Sequence, residues 1–139
     1  MRRGAILLDT CACIWIMNDE WLRAEAIEAI DEASDRGETV FVSPITALEI
    51  GTSARKRRFR SPHTPQRWLE LLLARPQIAL AQMPAELLLE SALLPGPIDA
   101  DPADRIIAAT ARAAGFTVMT RDRGLLDYGR EGYLSVLEC

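Results

Sequence analysis

Ala5-Ile6-Leu7-Leu8-Asp9-Thr10, near the start of the chain, is a short continuous apolar run that stops on a carboxylate. A run of that length bounded by a polar residue reads as a buried strand. Thr39-Val40-Phe41-Val42 repeats the signal with β-branched and aromatic residues, and Phe116-Thr117-Val118-Met119 repeats it again. Further candidates lie at residues 78–80 and 133–137. Between the strands the pattern changes to helical. Residues 10–17 follow Asp9 or Thr10 as cap. Leu22, Ala26, Ile30 and Ala33 recur at helical spacing over 21–36, and Gly37 is a stop. Ser43-Pro44 supplies a cap and a first helical residue for the next helix. Residues 65–74, 84–94 and 102–114 follow as helices, the last ended by Gly115, with a helical turn at 123–126. This alternation predicts one α/β domain over residues 1–139, with a central parallel sheet of four to five strands and helices on both faces.

At 139 residues the chain has room for one domain with one core. It is 49% apolar and 26% charged, which excludes a disordered chain. Met1-Arg2-Arg3-Gly4 passes into an apolar run too short for a signal-peptide core. No stretch reaches a membrane span, and the richest, residues 69–73, is interrupted by Glu70. The chain therefore reads as cytoplasmic. Three cysteines, Cys11, Cys13 and Cys139, argue against a disulfide framework. His63 is the single histidine, and no zinc set forms around Cys11 and Cys13.

The net charge of −4 hides an uneven distribution. Residues 50–69 hold no acid, yet contain Arg55, Lys56, Arg57, Arg58, Arg60 and Arg67. Such a run is either a solvated surface or a set of contacts to a polyanion backbone.

Open parallel sheets gather ligands beyond the carboxyl ends of their strands. Asp9 and Asp122 fall there, and Asp104 lies in the first turn of its helix. Each has an ordinary alternative: Asp9, Asp101 and Asp122 can cap helices, and Asp104 can serve the helix dipole. Glu49 is too deep in its helix to cap, and shares a face with Ile45 beside Leu48. A carboxylate on an apolar stripe needs a partner: an arginine, for which Arg105 is a candidate, a backbone donor or a metal ion. Carboxylates meeting at one edge repel one another unless a cation is present. Hard oxygen ligands suit Mg²⁺ or Mn²⁺.

Ile6-Leu7-Leu8-Asp9-Thr10, Ser43-Pro44-Ile45-Thr46-Ala47-Leu48-Glu49-Ile50, the segment from Asp101-Pro102-Ala103-Asp104-Arg105 to Ala111, and Thr120-Arg121-Asp122 resemble, in this order and spacing, the PIN-domain family. Within it the chain is most similar to VapC-type ribonuclease toxins of bacterial toxin–antitoxin modules. The resemblance spans essentially the whole chain. It implies an Mg²⁺- or Mn²⁺-dependent endoribonuclease with Asp9, Glu49, Asp104 and Asp122 as catalytic metal ligands. Asp101 would be an accessory ligand, Thr10 and Thr120 hydroxyls that orient carboxylates or waters, and Arg105 an orienting ion-pair partner. Arg55, Lys56, Arg57, Arg58 and Arg60 would contact RNA. The resemblance also implies a homodimer and a small antitoxin lying across the acidic groove. Trp68, Leu69, Leu72 and Leu73 form a stripe that is either core or antitoxin surface. Cys11 departs from the polar residue frequent at that place.

The runner-up is a PIN-like module that binds RNA or protein without cleaving it. A receiver domain would need paired acids after the first strand and a lysine near the last, but the single lysine is Lys56. A haloacid-dehalogenase-type phosphatase would need a second acid at position 11.

Overall fold

Residues 4–20 and 22–139 are described by the computed structural model. Met1 to Arg3, and Trp21 where the second helix was expected to begin, lie outside them. Five strands form one sheet: β1 (Ile6–Leu8), β2 (Val40–Val42), β3 (Ile78–Leu80), β4 (Thr117–Thr120) and β5 (Ser135–Glu138). Its order is β3-β2-β1-β4-β5, and every neighbouring pair is parallel. The chain steps outward from β1 to β3, then crosses back to β4 on the other side of β1. That reversal leaves a crevice beyond the carboxyl ends of β1 and β4, where open sheets take their ligands.

Seven helices connect the strands among the described residues: α1 (Thr10–Met17), α2 (Ala24–Asp35), α3 (Ile45–Arg55), α4 (Pro65–Leu73), α5 (Ala85–Ala92), α6 (Pro102–Ala114) and α7 (Arg123–Arg130). Successive strand residues point to opposite faces, and the two halves of the core follow from that alternation. Ile6, Leu8, Val40, Val42 and Met119 pack with α1, α2 and α4. Leu7 and Val118 pack with α5, α6 and α7. α3 serves both sides, Ile50 joining the first cluster and Ile45 the second. The sheet is covered on both faces, so its strands read as unbroken apolar runs.

Local chemistry sets the element ends. Asp9 caps α1, Thr64 caps α4 with Pro65 at the first turn, Asp101 caps α6 ahead of Pro102, and Asp122 caps α7. The Ile45 N–H donates to Ser43 Oγ at 3.2 Å, and Pro44 already has helical dihedrals. Gly115 ends α6 in the left-handed region, φ 72°, which suits a residue without Cβ. α7 runs to Arg130, well past the single turn expected at 123–126, because Leu125, Leu126 and Tyr128 are all buried. α5 is shorter than expected. The Arg105 guanidinium donates to the Ser91 and Ala92 carbonyls at its end, at 2.9 and 3.1 Å. Among the described residues no helix is long and apolar enough to cross a membrane.

Trp68 and Leu72 are 1% and 0% exposed, so that half of the α4 stripe is core. Phe59 meets the Trp68 ring edge-on, with centroids 6.1 Å apart. Trp68→Ala should lower the unfolding free energy by about 3–5 kcal/mol, the cost of emptying a large core site. Urea denaturation measures it, and a loss below about 1 kcal/mol would remove Trp68 from the core.

Candidate metal centre at the sheet edge

Four of the five acids stand at the places where strands end and helices begin. Asp9 follows β1, Asp122 follows β4, and Asp101 and Asp104 occupy the cap and first turn of α6. Asp9 is 2% exposed and held from two sides. The Ala12 N–H donates to its Oδ1 at 2.9 Å, and the Thr120 hydroxyl donates to its Oδ2. Thr120 is fully buried, and its oxygen also accepts the Asp122 N–H at 2.9 Å. One hydroxyl thus ties the acid after β1 to the backbone of the acid after β4.

Glu49 comes in from α3, and the Thr10 hydroxyl donates to its Oε1. The apolar stripe expected around Glu49 is only half present: Ile45 is buried, but Leu48 is 64% exposed. The Arg105–Glu49 ion pair suggested by the sequence is not formed. Arg105 turns instead to the carbonyls of α5, and it positions the α5–α6 connection rather than a carboxylate. Asp101 is exposed and accepts the Asp104 N–H at 2.9 Å, while Asp122 accepts the Leu125 N–H at 2.9 Å.

The electrostatics show that these acids share one field. Burial pushes Asp104 up to about 8, with Asp101, Asp122, Glu49 and Asp9 all adding to the shift. Burial also raises Glu49 against the Thr10 hydroxyl, with Asp101, Asp9 and Asp122 contributing. Asp9 is raised by burial, while the Thr120 hydroxyl and the Ala12 N–H hold it down. The Cys11 thiol is pushed to about 12 by burial and then by Asp9, Asp104 and Glu49, so it is not a nucleophile at neutral pH. None of the ion pairs among the described residues involves Asp9, Glu49, Asp101, Asp104 or Asp122.

Partly buried carboxylates that raise one another's proton affinity fit a hard divalent cation. Among the described residues no three acids form a ready-made, closed ligand set.

A groove of about 750 Å³ adjoins the acids and is lined by Ile45, Leu48, Glu49, Lys56, Arg58 and Asp101, among others. Only Lys56 and Arg58 of the expected basic set reach this lining. Arg55 closes α3, Arg57 sits at positive φ in the turn after it, and Arg60 lies beyond; all three are exposed.

Two residues at the site escaped the sequence reading. Thr46, buried on α3, lies 3.0 Å from Thr10, hydroxyl to hydroxyl. Its position three before Glu49, on the same helix face, was the available signal. Gly124 lets the 99–101 segment lie against α7, since a Cβ there would fall 2.0 Å from the Asp99 carbonyl oxygen. Nothing local in the sequence marks that contact.

The PIN domain family model matches residues 6–131 of the chain. The fold is similar to that of VapBC2 from Rickettsia felis, in a complex bound to a DNA fragment from its promoter. There the TM-score is 0.64 at 18% identity, over 96% of this chain and 98% of that one. DNA-bound VapBC from Salmonella typhimurium gives 0.58 at 22% identity, over 97% and 98%. FitAcB from Neisseria gonorrhoeae gives 0.54 at 23%, over 95% and 96%. At these identities the likeness is one of fold. No curated protein sequence matches the chain.

The raised Asp104 carboxyl has a consequence for stability. In the unfolded chain it titrates near 3.8, in the folded metal-free protein near 8. Between those values the folded state binds more protons, so stability falls as pH rises through the window and levels off above it. Thermal unfolding of metal-free protein from about pH 5 to about pH 9 should show that decline. Asp104→Asn should flatten it. An equal slope in both proteins would contradict the raised Asp104 carboxyl.

Proposed function

Since the chain belongs to the PIN-domain family, we propose that it is an Mg²⁺- or Mn²⁺-dependent endoribonuclease, the toxin of a VapC-type toxin–antitoxin pair. The observation that carries this is the gathering of Asp9, Glu49, Asp101, Asp104 and Asp122 into one field, in which the other four all add to the raised Asp104 carboxyl. Asp9, Glu49, Asp104 and Asp122 would hold the cation, with Asp101 an accessory ligand. A bound divalent ion supplies an activated water and stabilises charge on the phosphoryl oxygens and the leaving group. Hydrolysis of the phosphodiester at its 3′ oxygen leaves a 5′-phosphate and a 3′-hydroxyl.

The remaining work falls to the chain's own groups. Ala12 and Thr120 fix both oxygens of Asp9, and Thr10 turns Glu49 toward the crevice. Asp104, whose carboxyl is raised to about 8, would give up its proton on holding a cation. Lys56 and Arg58 line the adjoining groove, where they would contact RNA phosphates flanking the scissile one. Arg55, Arg57 and Arg60 extend that cationic surface outward. The VapBC and FitAcB fold neighbours support a small antitoxin as partner. A partner arginine entering the carboxylates would displace the cation by charge substitution. Two copies of the chain form the toxin, and they act in the cytoplasm.

Cleavage of total cellular RNA by the purified protein, freed of any co-purified antitoxin, tests the reading. Discrete fragments should form with Mg²⁺ or Mn²⁺ and vanish with EDTA. Asp9→Asn and Asp104→Asn should each lose more than about 100-fold in rate, since residues one shell further out already cost about 10–100-fold. Circular dichroism should show both variants folded. No cleavage under any condition would turn the reading to a module that binds without cutting.

The two groove cations can be checked separately. With single-stranded RNA, Lys56→Gln and Arg58→Gln should each reduce the slope of log affinity against log salt by about 0.7. An unchanged slope in the double variant would place the RNA elsewhere.

A further inference from the structure

The three aspartates that cap helices are fixed by backbone donors: Asp9 by Ala12, Asp101 by Asp104 and Asp122 by Leu125. Glu49 has a longer side chain and accepts its hydrogen bond from a hydroxyl, that of Thr10. A hydroxyl rotates unless something holds it. Thr46 is fully buried on the face of α3 that meets α1, with its Oγ1 3.0 Å from that of Thr10.

We infer that Thr46 is a positioning residue for the acid site, donating its hydroxyl proton to Thr10 and thereby committing the Thr10 proton to Glu49. The direction follows from proton counting. Thr10 has one proton, and a carboxylate that holds a cation has none to give. With the Thr10 proton on Glu49, the proton between the two threonines must come from Thr46. The order is Thr46 to Thr10 to Glu49, and each bond polarises the next. Thr46 touches neither RNA nor cation; it acts through Thr10. Placing Thr46 one turn before Glu49 lets a single helix present both ends of the relay to α1.

The inference rests on the metal-site reading given above, so its test measures cation binding directly. Thr46→Val removes the hydroxyl at similar volume, Thr46→Ala removes it without the added methyl, and Thr46→Ser keeps it. Isothermal titration of Mn²⁺ into each metal-free protein, beside kcat and KM for RNA and a melting curve, separates the roles. Thr46→Val and Thr46→Ala should weaken Mn²⁺ binding by about 10-fold and lower kcat, with KM for RNA nearly unchanged, as outer-shell losses do. Thr46→Ser should restore both. If Thr46→Val does not fold, Thr46→Ala carries the same comparison. Unchanged Mn²⁺ affinity in the folded hydroxyl-free variants, or an equal loss in Thr46→Ser, overturns the proposal while leaving the metal site standing. A wild-type protein that binds no Mn²⁺ overturns the metal-site reading, and the relay with it.

Discussion

Burial of several carboxylates at one edge, compounded by their mutual repulsion, is the constraint on which this structure turns. Like charges at such a place raise one another's affinity for protons, and the field is relieved by protonation or by a cation. The fold imposes the crowding through several elements at once. β1 and β4 lie side by side at the point where strand order reverses, which brings Asp9 and Asp122 to one crevice. α6 adds Asp101 and Asp104 from the crossover, and α3 adds Glu49 after β2. The hydroxyls of Thr10 and Thr120 lie between these elements, each bonded to a carboxylate of another segment.

In Asp9, Asp101 and Asp122 a capping role leaves room for the ligand role proposed above. Asp9, Asp101 and Asp122 each use one oxygen to accept a backbone N–H in the first turn of a helix. The helix start fixes the carboxylate's direction, which is what a cation site needs from its ligands. A cap also places each acid at a helix N-terminus, where the macrodipole favours negative charge. The ordinary explanation for each residue is therefore correct, and it is part of how the site is built.

Much of this was legible because the sheet is buried on both faces. α1, β3 and α6 have the bounds expected from caps, prolines and apolar runs. The parallel architecture follows from the alternation of elements alone. What could not be read locally depends on distant packing. α7 looked like one turn because Asp127 and Gly129 interrupt its pattern, yet Leu125, Leu126 and Tyr128 bury a face of it. Arg105 was assigned to a carboxylate by charge, but the nearby carbonyls of α5 take its donors. Thr46 was passed over because a lone threonine inside a helix carries no charge signal. The basic run was visible as composition, but only the folded groove separates Lys56 and Arg58 from their neighbours.

We propose that the acid-lined crevice holds a divalent cation. Anomalous X-ray scattering from crystals of the protein soaked in Mn²⁺ tests it without recourse to activity. A peak is expected in contact with carboxylate oxygens drawn from Asp9, Glu49, Asp104 and Asp122. A well-occupied peak elsewhere, with that crevice empty at saturating Mn²⁺, would contradict it.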